Sequence, residues 1–281
     1  MAASGCSSQV ELAAGRFHYR RWACGDGAPS VILLHGNGST WRSWSRVGPA
    51  LCTAGWDTVA IDLRGCGSSV RPPIGNYGLS EVAADVHDVI EALQLREPVL
   101  IGHCWGAAVA VWLATGAVPD RAPPRLNRVV LEEFPVDMSS PARQPAVQQY
   151  LRVLSSPREY VEQWMELVCR TWHPVDRESL LEDACGADVD AYLSIIRDGT
   201  DAGPLLPVLA RLEVPALVLR GNPARGSILN DKDWHLLRQC LPQHADAREL
   251  ADSGHELHRG DYEAFMRLVG EFLPPINPTA R

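Results

Sequence analysis

Three short apolar runs each end in a turn marked by glycine: Ser30 to Leu34 (SVILL), Thr58 to Leu63 (TVAIDL) and Pro98 to Gly102 (PVLIG). Runs this short, without polar alternation, predict strands buried on both faces. Arg128 to Phe134 (RVVLEEF), Ala216 to Gly221 (ALVLRG) and Ala247 to Leu250 extend the series, and Val10 to Trp22 reads as a starting hairpin. Helical spacing fills the intervals over Leu79 to Leu93, with Ser80 placed as an N-cap, and over Ala107 to Thr115 and Glu263 to Leu273. Buried strands alternating with helices predict an α/β fold, a mostly parallel sheet covered on both faces. Chemistry in such folds gathers at the carboxyl ends of the strands.

One stretch breaks the rhythm. From Met138 to Leu206 the pattern is helical without buried strands, framed by Ser139-Ser140-Pro141 and Gly203-Pro204. It predicts a helical lid at 138–206 inserted into a core formed by 1–137 and 207–281. Its aromatic side chains, among them Trp164, Trp172, Tyr150 and Tyr192, suggest an apolar or aromatic substrate pocket, with Trp164 and Trp172 as candidate lining residues.

A formal net charge of −8 carries no basic nucleic-acid footprint and no cationic membrane patch. The eight cysteines are irregularly spaced, without a C-x-x-C pair or a zinc-ligand pattern. No signal peptide is legible, which makes a reducing cytoplasm with free thiols the simplest expectation. The partner expected is a small molecule or an acyl thioester; no metal or other cofactor is called for. Oligomeric state is not legible.

The central motif is Gly102-His103-Cys104-Trp105-Gly106 between a predicted strand and a predicted helix. A G-x-C-x-G turn there forces its middle residue into a strained backbone and projects the side chain above the sheet. The N-terminus of the following helix favours a thiolate. Together with His35-Gly36-Asn37-Gly38, DLRGCGSS at 62–69 and SGHELH at 253–258, this order of motifs resembles the α/β-hydrolase superfamily over nearly the whole length. The resemblance implies an eight-stranded-type sheet, Cys104 as nucleophile in place of the more usual serine, and His255 as base, with His258 the weaker competitor. It also implies an oxyanion hole from the backbone N–H groups of Asn37 and Trp105.

The third member of the triad stays open at this level. Relatives with G-x-x-D after the fifth strand keep the acid there, but Gly221-Asn222-Pro223-Ala224 offers alanine, and Asp231 and Asp233 lie further on. Others, resembling haloalkane dehalogenases, place it after the preceding strand, where strand alternation favours Glu133 and sends Glu132 to the other face. Asn37 and Trp105 also resemble the halide-gripping pair of those dehalogenases, which carry aspartate where this chain has Cys104. A thiolate alkylated by a halide ends as a thioether, so dehalogenation is rejected. The expected chemistry is acyl transfer through a Cys104 thioester, to water, an amine or an alcohol. A non-covalent lyase or cyclase, or a ligand receptor, is the alternative.

Overall fold

The computed structural model describes residues 4–25, 27–139 and 145–276. Eight strands, β1 (Cys6–Leu12), β2 (Gly15–Trp22), β3 (Ser30–Leu34), β4 (Asp57–Ile61), β5 (Val99–His103), β6 (Arg128–Glu132), β7 (Ala216–Gly221) and β8 (Ala245–Leu250), form one sheet in the order β1-β2-β4-β3-β5-β6-β7-β8. The first two pairings are antiparallel and the rest parallel. Alternation within the buried runs serves both faces. Ile32, Leu34, Leu100 and Leu131 join one core with helices α2 (Leu79–Ala92) and α3 (Trp105–Ala114). Val31, Leu33, Ile101 and Val130 join the other, with α1 (Val47–Thr53) and the C-terminal helix Tyr262–Phe272.

Ser80 does not cap α2. The cap is Gly78, and Ser80 is the second residue of the helix, where its hydroxyl accepts the Trp112 indole N–H at 3.1 Å. Packing between α2 and α3 claims the hydroxyl that a local reading assigns to the helix end. Among the described residues no helix is long and apolar enough to cross a membrane.

Between β6 and β7 the chain forms α4 (Pro145–Leu154), α5 (Arg158–Val168), α6 (Pro174–Gly186) and α7 (Val189–Asp198). These pack around a cluster of their own that includes Val153, Val161, Met165, Leu180 and Tyr192. The two ends of the insertion meet in an antiparallel bridge, with Met138 N–H on Gly203 C=O and Leu205 N–H on Val136 C=O, both at 2.9 Å. Of the expected lid frame, Ser140 and Pro141 lie outside the described residues.

The turn between β5 and α3 is set by close backbone contact. A Cβ on Gly102 would stand 2.4 Å from Gly106 O, and one on Gly106 would stand 2.2 Å from Leu34 O. The obstacles are main-chain atoms, which cannot rotate aside. Gly106→Ala is therefore expected to destabilise the fold by about 3 kcal/mol or more, read as a shift in the urea midpoint. A midpoint unchanged from wild type would show that β3 and α3 can separate without penalty.

Candidate active site

Cys104 follows β5 with φ +50° and ψ −112°, a conformation that non-glycine residues seldom adopt. Its N–H donates to Glu132 C=O at 2.9 Å, and its own carbonyl accepts the N–H groups of Ala107 and Ala108 at 3.0 and 3.2 Å. The main chain is thus pinned on both sides, and the thiol stays partly exposed at the N-terminus of α3. Burial pushes the Cys66 thiol up to about 12 and the Cys169 thiol to about 11, which keeps both protonated.

The turn after β3 approaches Cys104 closely. A Cβ on Gly36 would lie 3.5 Å from the Cys104 Cβ and 2.9 Å from His103 Nδ1. His35 Nε2 accepts Leu63 N–H at 3.0 Å, so its proton sits on Nδ1, which donates to Gly36 C=O at 2.8 Å. Burial lowers the His35 pKa and keeps the ring neutral. The same carbonyl accepts Ser39 N–H at 3.2 Å. In a trans peptide the C=O and N–H point in opposite directions, so fixing the Gly36 carbonyl fixes the Asn37 N–H. Neither Asn37 N–H nor Trp105 N–H meets a protein acceptor among the described residues. The Asn37 side chain turns to the insertion and donates to Tyr192 C=O at 3.3 Å, while the buried Trp105 indole N–H has no partner among the described residues.

The two glutamates at the end of β6 take different histidine partners. Glu133, with φ +51°, is fully buried and uses both oxygens twice. Oε1 accepts Gly221 N–H and the Ser227 hydroxyl, each at 2.7 Å; Oε2 accepts Ile228 N–H at 2.7 Å and meets His255 Nδ1 at 3.1 Å. Glu132 goes to His258, accepting its N–H at 3.1 Å and meeting Nδ1 at 2.9 Å. The far nitrogen of His258 reaches Ser43 Oγ at 3.1 Å. His258 and Glu132 are both sealed from solvent, so this second pair anchors the 253–260 loop. Of the downstream candidates, Asp231 is exposed and pairs with Arg220, and Asp233 faces Asn230. Neither contacts His255.

Charge gathers around His255. Burial pulls its pKa down, but the Cys104 sulfur and then Glu133 outweigh this, raising it well above 6.5. His103, by contrast, is lowered to about 4 by burial, and its Nε2–H donates to His255 C=O at 3.0 Å. Glu256 is held well below the usual carboxylate range: burial opposes its ionisation, and His103, Arg259 and His258 overcome that. Ligand atoms of His103, His255 and Glu256 lie within 4.8 Å of one another, close enough to surround a cation. His103 Nε2 and His255 Nδ1 are, however, already hydrogen-bonded to His255 C=O and Glu133.

A cavity of about 240 Å³ opens between the insertion and the β3 turn, lined among others by Asn37, Gly38, Thr40, Cys66, Asp183 and Tyr192. It differs from the aromatic pocket expected from the sequence. Trp164 packs in the insertion's own cluster, 6.3 Å from the Tyr150 ring, and Trp172 lies 5.8 Å from the Arg259 guanidinium; neither lines this cavity. Burial, with a smaller contribution from the Cys104 sulfur, raises the Tyr192 phenol pKa. Sequence spacing gives no sign of Asp183, which reaches the site only through folding; Glu256 and Arg259 come with the segment that carries His255.

A family model described as the alpha/beta hydrolase fold matches residues 29–171, a little over half of the chain. The chain belongs to that family. Epoxide hydrolase B of Mycobacterium tuberculosis is 40% identical over 94 residues, covering 33% of this chain and 26% of that protein. The chain thus matches only about a quarter of that relative's length. The enol-lactonase of Burkholderia xenovorans superposes with a TM-score of 0.73 at 22% identity, covering 94% of this chain and 99% of that one. The thioesterase domain from the curacin biosynthetic pathway superposes with a TM-score of 0.71 at 21% identity, covering 95% and 99%. These two likenesses concern the fold.

The raised His255 pKa sets a pH dependence. Such a group contributes stability that is fully present below its unfolded value near 6.5 and lost as pH rises through the folded value. Glu133→Gln removes one of the charges that raise it and is expected to move the His255 titration to lower pH. Glutamine cannot accept all four hydrogen bonds, so the change also costs about 1–3 kcal/mol of stability. NMR titration of the His255 ring tests this; a titration unmoved by the substitution would remove Glu133 as its electrostatic partner.

Proposed function

We propose that this α/β-hydrolase is an acyl-transfer enzyme that works through a thioester on Cys104, with His255 carrying protons and Glu133 orienting it. The observation that supports this most is the Cys104–His255 interaction beside two N–H donors that no protein acceptor claims. The Cys104 thiolate attacks the carbonyl carbon of a small ester, thioester or activated amide. The N–H groups of Asn37 and Trp105 receive the oxyanion. Collapse expels the leaving group, which takes the proton of His255. Neutral His255 then removes a proton from water, an amine or an alcohol as that acceptor attacks the thioester, and a second collapse restores thiolate and imidazolium. Glu133 holds the ring by Nδ1 and stabilises its charge.

Residues 138–206 act as the lid in this scheme, over a core of 1–137 and 207–281. The cavity, below the usual 300–1,000 Å³ of ligand pockets, is lined by Asn37 and Tyr192 but by neither Cys104 nor His255, and Trp164 and Trp172 stand away from it. Trp164 and Trp172 are accordingly part of the lid's core in this reading. Biosynthesis of a small molecule in the cytoplasm suits a thioester enzyme whose eight cysteines are all free. Epoxide hydrolysis through Cys104 is disfavoured by its chemistry: a thiolate opens an epoxide to a thioether, which water does not cleave.

Intact-protein mass spectrometry with a panel of aryl and alkyl thioesters tests the proposal, with Cys104→Ala as control. The expected result is a gain of one acyl group, absent in the control. Binding without an adduct would favour the receptor or the non-covalent lyase. The acceptor is tested separately. A thioester is more reactive to amines than an oxygen ester, so Cys104→Ser is expected to gain hydrolysis relative to aminolysis; an unchanged product ratio would count against amine transfer.

A further inference from the structure

Asp183, on α6 of the insertion, is 2% exposed and does not touch the reacting groups. Its carboxylate nevertheless clasps the turn that follows β3. Oδ2 accepts the Ser39 hydroxyl at 2.6 Å and the Thr40 N–H at 3.2 Å, and Oδ1 accepts the Thr40 hydroxyl at 2.5 Å. The Thr40 hydroxyl also accepts Arg42 N–H at 3.2 Å, so the clasp continues into the short helix Trp41–Trp44. On its other side Asp183 lies 3.8 Å from Nη2 of Arg259, which belongs to the loop carrying His255. Nearby, Asn37 donates to Tyr192 C=O at 3.3 Å and Arg46 pairs with Asp176 at 2.8 Å.

Ser39 is held by its hydroxyl, and its N–H in turn holds the Gly36 carbonyl. That carbonyl shares a peptide plane with the Asn37 N–H. We infer that Asp183 is a positioning residue: through Ser39 and Thr40 it aims the Asn37 N–H at the oxyanion, so that the lid supplies part of the geometry of the hole. The inference rests on the acyl-transfer reading and assigns a reason for a carboxylate to be buried there. Burial disfavours its ionisation and raises its pKa, and three donated hydrogen bonds with one guanidinium offset the cost.

The test compares two reactions of the same sulfur in the full-length protein. Acylation by phenyl thioacetate passes through an oxyanion; alkylation by iodoacetamide does not. Both rates are followed by intact mass, with Cys104→Ala to subtract the other thiols. In Asp183→Asn, acylation is expected to slow by about tenfold or more, in its maximal rate with KM little changed, while alkylation stays within about twofold. Thr40→Val and Ser39→Ala each remove one arm of the clasp and are expected to show smaller losses of the same kind. They decide the matter if Asp183→Asn fails to fold. Parallel loss of both reactions, or loss of neither, overturns the role of Asp183. A wild-type protein that is alkylated but never acylated at Cys104 overturns the acyl-transfer reading itself and is distinguishable on that ground.

Discussion

The contact of Gly106 with the end of β3 governs the rest of the site. Main-chain atoms of β3, β5 and α3 approach so closely that no side chain fits between them. That proximity leaves Cys104 in a strained conformation, held by one hydrogen bond to β6 and two from α3. Strain of this kind persists only where its surroundings overdetermine it. Here they do, and the thiol gains the field of a helix N-terminus without being buried.

The second constraint is electrostatic. Two adjacent carboxylates at the end of β6 are both fully buried, which would be costly without partners. Each meets a histidine from the 253–260 loop. The Glu132–His258 pair is closed to solvent and fixes the loop; the Glu133–His255 pair is partly open and faces the sulfur. Glu133 also accepts hydrogen bonds from Gly221, Ser227 and Ile228, so the loop that holds the acid in many relatives here wraps around a carboxylate from the neighbouring strand. A buried, neutral His103 and an ionised Glu256 complete a cluster in which protonation state follows environment more than residue type.

The insertion is more than a cover. It has its own apolar cluster and its ends are joined at one bridge, yet Asp183 and Tyr192 fasten it to the turn after β3 and Asp176 fastens it to Arg46 before α1. Donor groups near Cys104 are therefore referenced to both layers of the molecule. A rearrangement of α6 would be felt at the Gly36–Asn37 peptide.

The sequence alone determined the sheet and the place of its special turns. Short apolar runs have nowhere to go but a doubly covered sheet, and glycines at fixed offsets mark where main chains touch. It also brought Glu133 and Glu132 forward together as candidates, because both close the RVVLEEF run. Only the tertiary structure decided which acid meets which histidine, since 122 and 126 residues of chain separate the partners. It moved Ser80 from a cap to an indole partner and put Trp164 and Trp172 of the insertion beside other groups than the cavity. It also brought Asp183 to Ser39 across 144 residues. Periodicity reports which face of an element is buried. What lies against that face depends on long-range packing, and no local pattern encodes it.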